Sequence, residues 1–299
     1  MTSQTEIKQT ATAIPKRSLP VTSARYKKIK RILLVLSIWF LAILWVFPLL
    51  WVLLSSFKNQ WEIPQFTWIP QTPIMDNYVN LFDPQGRAVN ISTALLNSLF
   101  VSLMATAGAL FACACAGYAF ARINFRGRDL LFVILLATVM IPGEIVLVPL
   151  FLQFHRFKLL NTYPALIAPH IVSVLGVFLM RQFMLAIPRE LEEAAEIEGA
   201  SRFVIFWRII LPLTKPALAT LAVLVFLESW NDFLWPLIII NEPELNTLPL
   251  ALITFRSAYN DLDYGTVLAS VIFAVTPPLL FFAFAQNLIV TSISRTGLK

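Results

Sequence analysis

The sequence predicts an all-α membrane protein with six spanning helices and a cytoplasmic loop shaped as helix, turn, helix. Three observations carry that expectation. Hydrophobic residues make up 58% of the 299 and charged residues only 13%, against roughly 25% charged in a soluble domain. Apolar runs of about 20 residues, the length needed to cross roughly 30 Å of hydrocarbon, recur along the chain. The basic residues collect in the polar stretches between those runs, so a formal charge of +6 reflects membrane topology and calls for no nucleic acid partner.

Residues 1–31 hold eight lysines and arginines and no apolar core, which predicts a disordered basic tail. The run from Ile32 to about Ser56 is too long for a signal peptide and reads as the first span. A segment to about Thr93 follows, rich in proline and tryptophan (Trp61, Pro64, Trp68, Pro70, Pro73), too polar to cross and suited to the far interface. The second span, about 95–119, is dense in alanine, glycine and cysteine, small residues that let helices approach closely in lipid. Arg122, Arg126 and Arg128 form a basic turn. The third span, about 130–154, is broken at Ile141-Pro142-Gly143-Glu144. A fourth runs from about 163 to 180, a fifth from 216 to 240 and a sixth from 266 to 289, with residues 241–265 polar and 292–299 a short tail.

The most informative stretch lies between the fourth and fifth spans, residues 181–215. Pro188 suits a first helical turn, and Glu190, Glu192 and Glu193 follow where the positive end of the helix dipole favours acids. Gly199 then predicts a left-handed cap, after which Phe203, Phe206, Ile209 and Ile210 give a second helical stripe ending at Pro212. Ala194 and Ala195 leave one side of the first helix nearly bare, and Glu193 offers a fixed negative charge, so the stretch reads as a docking knob. With six spans, 18 of the 23 basic residues share one side with both termini and this loop, and that side is cytoplasmic by the positive-inside rule.

No Gly-x-x-x-x-Gly-Lys-Ser/Thr loop is present to cradle ATP phosphates, and no nucleophile elbow or His-Glu-x-x-His helix occurs. Catalysis within this chain is therefore not expected. Cys113 and Cys115 point about 200° apart on a helix and read as small packing residues. His155 and His170 are too isolated for a metal centre and are assigned structural or interfacial roles. Glu144, Glu228 and Asp232 sit at membrane depth, where a charge must face a cavity or a partner. They read either as a polar pathway or as interhelical hydrogen bonds. Trp230 and Asn231 fit the pathway, since an aromatic face and an amide suit a sugar's CH surface and hydroxyls.

Glu193-Ala194-Ala195, three residues, Gly199, nine residues, Ile209, one residue, Leu211-Pro212 resembles the EAA motif of membrane permeases in ATP-binding-cassette (ABC) importers. Met140-Ile141-Pro142, Leu160-Asn161-Thr162, Phe178 to Phe183 and Trp230 to Pro236 extend the similarity to the carbohydrate-uptake branch, of MalG type. Glu198 departs from the aspartate usual there, as does a C-terminus without a glycine-rich tail. The resemblance implies the type I importer fold, with the loop as a coupling helix seated in an ATPase subunit that holds the ATP and Mg, this chain carrying no cofactor. It also implies a second permease of similar fold, two ATPase subunits and an extracytoplasmic binding protein that delivers a sugar and touches residues 241–265, including Tyr259, Asn260, Asp261, Asp263 and Tyr264. Glycerol phosphodiesters, polyols or another solute fit the same architecture, and a proton-coupled transporter using Glu144, Glu228 and Asp232 is the alternative from a different class.

Overall fold

The computed structural model describes residues 24–65, 67–82, 90–258 and 264–296, and these are helical with short connections. The chain divides at Trp51 and Val52. The described part of the first unit belongs to one apolar helix, α1 (Ala24–Ser55), which begins eight residues before the sequence places a span and whose last four residues fall in the second unit. Arg25, Lys27, Lys28 and Lys30 are good helix formers and extend the apolar run. The rest of the basic tail lies outside the described residues.

In the second unit the strut is α3 (Ile91–Arg122), started by Asn90, whose side chain accepts from the backbone N–H groups of Ser92 and Thr93. Ala105, Ala109, Cys113, Gly117 and Ala121 are all buried and stand four apart, one continuous seam of small side chains. Against it pack α6 (Tyr163–Ile171), α7 (Val174–Leu185) and α11 (Lys215–Trp230). Contact along the seam is close enough that a Cβ at Gly117 would run into the Cβ and backbone of Met180.

Among the described residues, three helices are long and apolar enough to cross a membrane: Lys28–Ser55, Ile91–Arg122 and Tyr264–Leu288. Three bent pairs could supply up to three more crossings. The third expected span is α4 (Arg128–Ala137) and α5 (Gly143–Arg156), bent by 101° where Pro142 lacks an N–H. The fourth bends by 43° between α6 and α7, where the Ser173 side chain caps the second piece by accepting from Gly176 N–H, and it continues to Leu185 rather than stopping at 180. The fifth, expected as one helix to residue 240, ends at Trp230 and resumes as α12 (Leu234–Ile239). Its break is stabilised by Asp232, whose carboxylate accepts from Trp235 N–H.

Two segments read as polar connections are structured. Residues 56–65 and 67–82 fold around a buried Asn77, on α2 (Asp76–Phe82), which donates to the carbonyls of Ser56 and Lys58. Glu62 accepts from Gln71 N–H and the Thr72 hydroxyl. Residues 241–258 fold back as α13 (Leu248–Ala258), because Leu248, Leu250 and Ala251 are buried. Asn97 and Ser98 of α3 hold that return, Asn97 donating to the carbonyls of Glu244 and Asn246 and Ser98 accepting from Leu248 N–H. The last helix, α14 (Tyr264–Thr296), runs past residue 289 into the expected tail and passes through Pro277 and Pro278.

Candidate docking elbow and translocation cleft

The loop between α7 and α11 forms an elbow. Its first arm is α8 (Glu190–Ile197), with Glu190, Glu192 and Glu193 in the first turn. Gly199 turns the chain at φ +83°, and a Cβ built on it would meet nothing within 4 Å. The second arm starts at Ser201, whose hydroxyl accepts from Val204 N–H to cap α9 (Arg202–Ile205). It continues through a π turn at Phe206–Ile210 into α10 (Leu211–Leu213), then bends 75° into α11. Pro212 has no N–H to give the Arg208 carbonyl, and the ladder answers with a wider turn before it, Leu211 N–H reaching back to Phe206 O. The second helix runs one residue past Pro212, to Leu213, before the bend. Its inward face is Ile205, Phe206 and Ile210, while Phe203, expected on that face, is 71% exposed and lies against Trp207.

The elbow sorts its residues cleanly. Ala195 is buried, and Ile209 and Leu211 are half-buried, all in the apolar core that also holds Ala109, Cys113 and Met180. Glu193, Ala194, Gly199 and Pro212 are exposed. Ile197, Phe203, Leu191 and Leu213 are exposed beside them. A charged and apolar outer face on a core-anchored arm is what a docking surface requires.

Arg122, in the sequence no more than one of the charges that set topology, holds the elbow's root. Arg122 ends α3 with its side chain 4% exposed. It donates to Met184 O at 2.6 Å, a carbonyl in the last turn of α7 that also accepts from Ile187 N–H, and to Ile187 O at 2.5 Å, in the corner just beyond that helix. Its Nε lies 2.8 Å from Glu192 Oε1 on α8, although neither atom has an aligned hydrogen bond, so the pair is held by charge. Burial pushes the Glu192 carboxyl up, with the Arg122 guanidinium opposing. Nearby, Arg181 lies over the Phe132 ring at 4.1 Å and donates to Phe120 O, tying α7 to α3 and α4.

Glu144, Glu228 and Asp232 come together, as the pathway reading expects, in a cleft of about 400 Å³ lined also by Leu147, Pro169, His170 and Trp235. His170, assigned no functional role from sequence, places Nε2 3.1 Å from Asp232 Oδ2. Asp232 thus accepts from the start of α12, ties α6 to the α11–α12 break, and lines the cleft. Trp230 is different. It is 2% exposed, stacked on Phe226 at 5.7 Å, and donates its indole N–H to Ala274 O, so its faces are not free to stack on a solute. Trp230 and the exposed Asn231 border a second cavity, of about 350 Å³, against α13 and α14. Of the residues placed at a binding-protein surface, Tyr259, Asn260, Asp261 and Asp263 lie outside the described residues, and Tyr264 is exposed at the start of α14.

Replacing Asp232 separates its roles. Asp232→Ala removes both the cap and the His170 contact and should cost about 1–2 kcal/mol, seen as a lower melting temperature of the solubilised protein. Asp232→Asn retains an acceptor for Trp235 N–H and should melt close to wild type.

Comparison with known proteins agrees with this geometry. Residues 104–295 match the family described as binding-protein-dependent transport system inner membrane component. The arabinooligosaccharides transport system permease protein AraQ of Halalkalibacterium halodurans is 36% identical over 271 residues, 89% of this chain and 96% of that protein. The diacetylchitobiose uptake system permease protein NgcG of Streptomyces coelicolor is 32% identical, covering 93% and 91%. Among solved structures, a bacterial ABC transporter involved in import of the acidic polysaccharide alginate shares the fold, with a TM-score of 0.76 at 21% identity over 88% of this chain and 98% of that one. An elbow rooted in the helical core, a polar cleft among broken helices, and these matches over most of the chain lead to one assignment: the chain belongs to the family of binding-protein-dependent transport system inner membrane components.

Proposed function

We propose that this chain is a transmembrane permease subunit of an ABC importer and moves an uncharged oligosaccharide handed over by an extracytoplasmic binding protein. The observation that carries the reading is the elbow, with Glu193, Ala194 and Gly199 outward and Ala195 packed into the bundle core. Such a part gives a separate ATPase something to grip and a rigid route inward. A second permease of similar fold completes the pathway, and two ATPase subunits bind the ATP and Mg. Counting each bent pair as one crossing gives six spans, with both termini and the elbow cytoplasmic, the side favoured by 18 of the 23 basic residues.

The relatives named for arabinooligosaccharides and diacetylchitobiose support a carbohydrate. The cleft supports an uncharged one: its lining carries Glu144, Glu228 and Asp232 and no lysine or arginine. Carboxylates accept hydrogen bonds from sugar hydroxyls, whereas an anion about 6 Å from one of them is disfavoured by roughly 3 kcal/mol at an effective dielectric constant of about 20. In competition against uptake of a labelled neutral arabino- or chito-oligosaccharide, neutral oligosaccharides should compete at least about tenfold better than uronate oligosaccharides or glycerol phosphodiesters. Equal or better competition by the anions would overturn the substrate assignment.

A further inference from the structure

We infer that Arg122 is a positioning residue for energy coupling, the clamp that makes the docking helix move together with the transmembrane core. Its guanidinium reaches three places at once: Met184 O, Ile187 O and the Glu192 carboxylate. Met184 lies in the last turn of α7, Ile187 in the corner at residues 186–189 and Glu192 in the first turn of α8, so one side chain from α3 ties together both sides of the corner through which α7 becomes α8. The corner itself is a poor lever. Only Ala195 of α8 is buried, and a single methyl group against the core transmits little torque. With the clamp closed, a push on Glu193 and Ala194 is carried by α8 into α3 and α7 as one body. Without it the push bends the corner.

Stability alone does not explain the pair. A buried ion pair loses hydration that its attraction seldom repays, and here neither Arg122 Nε nor Glu192 Oε1 has an aligned hydrogen bond. Apolar residues would fill the same space with less desolvation. Arginine supplies what they lack, a planar fork able to hold two carbonyls and a carboxylate in fixed relation.

This inference rests on the importer reading, and its test separates the two. The complete complex, co-purified with its ATPase and partner permease and reconstituted in proteoliposomes with its binding protein, is measured for solute uptake and ATP hydrolysis together. The wild-type complex should take up solute only with ATP; if it does not, the importer reading fails and the clamp with it. Glu192→Gln, which keeps the shape and removes the charge, and Arg122→Gln should each lower uptake per ATP hydrolysed about tenfold, a coupling effect of ordinary size. The double variant should be no worse than the worse single, since both break one link. A merely structural role would lower uptake and hydrolysis in parallel with the amount of complex assembled. Parallel loss, or a wild-type ratio in Glu192→Gln, overturns the clamp, and that variant decides the matter should Arg122→Gln not accumulate.

Discussion

Gly199→Val is expected to abolish solute uptake while the protein remains in the membrane in near wild-type amounts. Gly199 holds φ +83°, a conformation that costs a residue with a Cβ about 1–2 kcal/mol, and a β-branched side chain more than most. Within the chain nothing lies within 4 Å of the added Cβ, so the fold itself has room. The bulk instead projects from the outer bend of the elbow, beside Glu193 and Ala194, into the space the ATPase is proposed to fill. Gly199→Asn tells strain from obstruction, because asparagine tolerates the left-handed region yet still adds bulk. Uptake and membrane content measured together should show both variants impaired in uptake, with asparagine the better accumulated. Normal uptake by Gly199→Asn would reduce the role of Gly199 to backbone conformation.

Gly117→Val should prevent the protein from accumulating at all. A Cβ at 117 would stand 2.6 Å from Met180 Cβ and 3.0 Å from Arg181 N, one of them a backbone atom that cannot swing aside. The α3–α7 contact would have to open, and with it the seam that positions Arg122 against Met184 and Ile187. Overpacking of this kind costs about 1–3 kcal/mol or more where the neighbours cannot yield. Even Gly117→Ala should lower the melting temperature of the solubilised protein measurably. Gly143→Ala is the control: nothing lies within 4 Å of its added Cβ, and its melting temperature should stay within the effect of about 0.5 kcal/mol usual for unconstrained sites.

These two glycines also show what could be read from the sequence and what could not. The left-handed turn at Gly199 was legible because a glycine two turns into an acidic helix start has few other uses. The close seam was legible as a density of small residues on α3, and the break at Pro142 as a missing N–H. Local chemistry carries such signals. Arg122 carried none, since its partners at Met184, Ile187 and Glu192 lie more than 60 residues away and a basic residue at a helix end already has a sufficient topological explanation. His170 was missed for the same reason, its partner Asp232 lying 62 residues on. Trp230 misled in the opposite direction. Its place beside Asn231 and Asp232 suggested a stacking face, but tertiary contacts with Phe226 and Ala274 use that surface. The bends at 172–173 and 231–233 escaped notice because no proline falls within them, and side-chain caps from Ser173 and Asp232 start the helices that follow.

The measurement that bears most directly on the proposed source of energy is solute flux in proteoliposomes, with this chain reconstituted first alone and then with its co-purified partner permease, ATPase and binding protein. Alone, it should be inert under an imposed proton gradient and with ATP present; with its companions, it should accumulate the labelled oligosaccharide in step with ATP hydrolysis. Solute movement by the isolated chain, following the proton gradient and indifferent to ATP, would contradict the account and assign Glu144, Glu228, Asp232 and His170 to a proton relay instead.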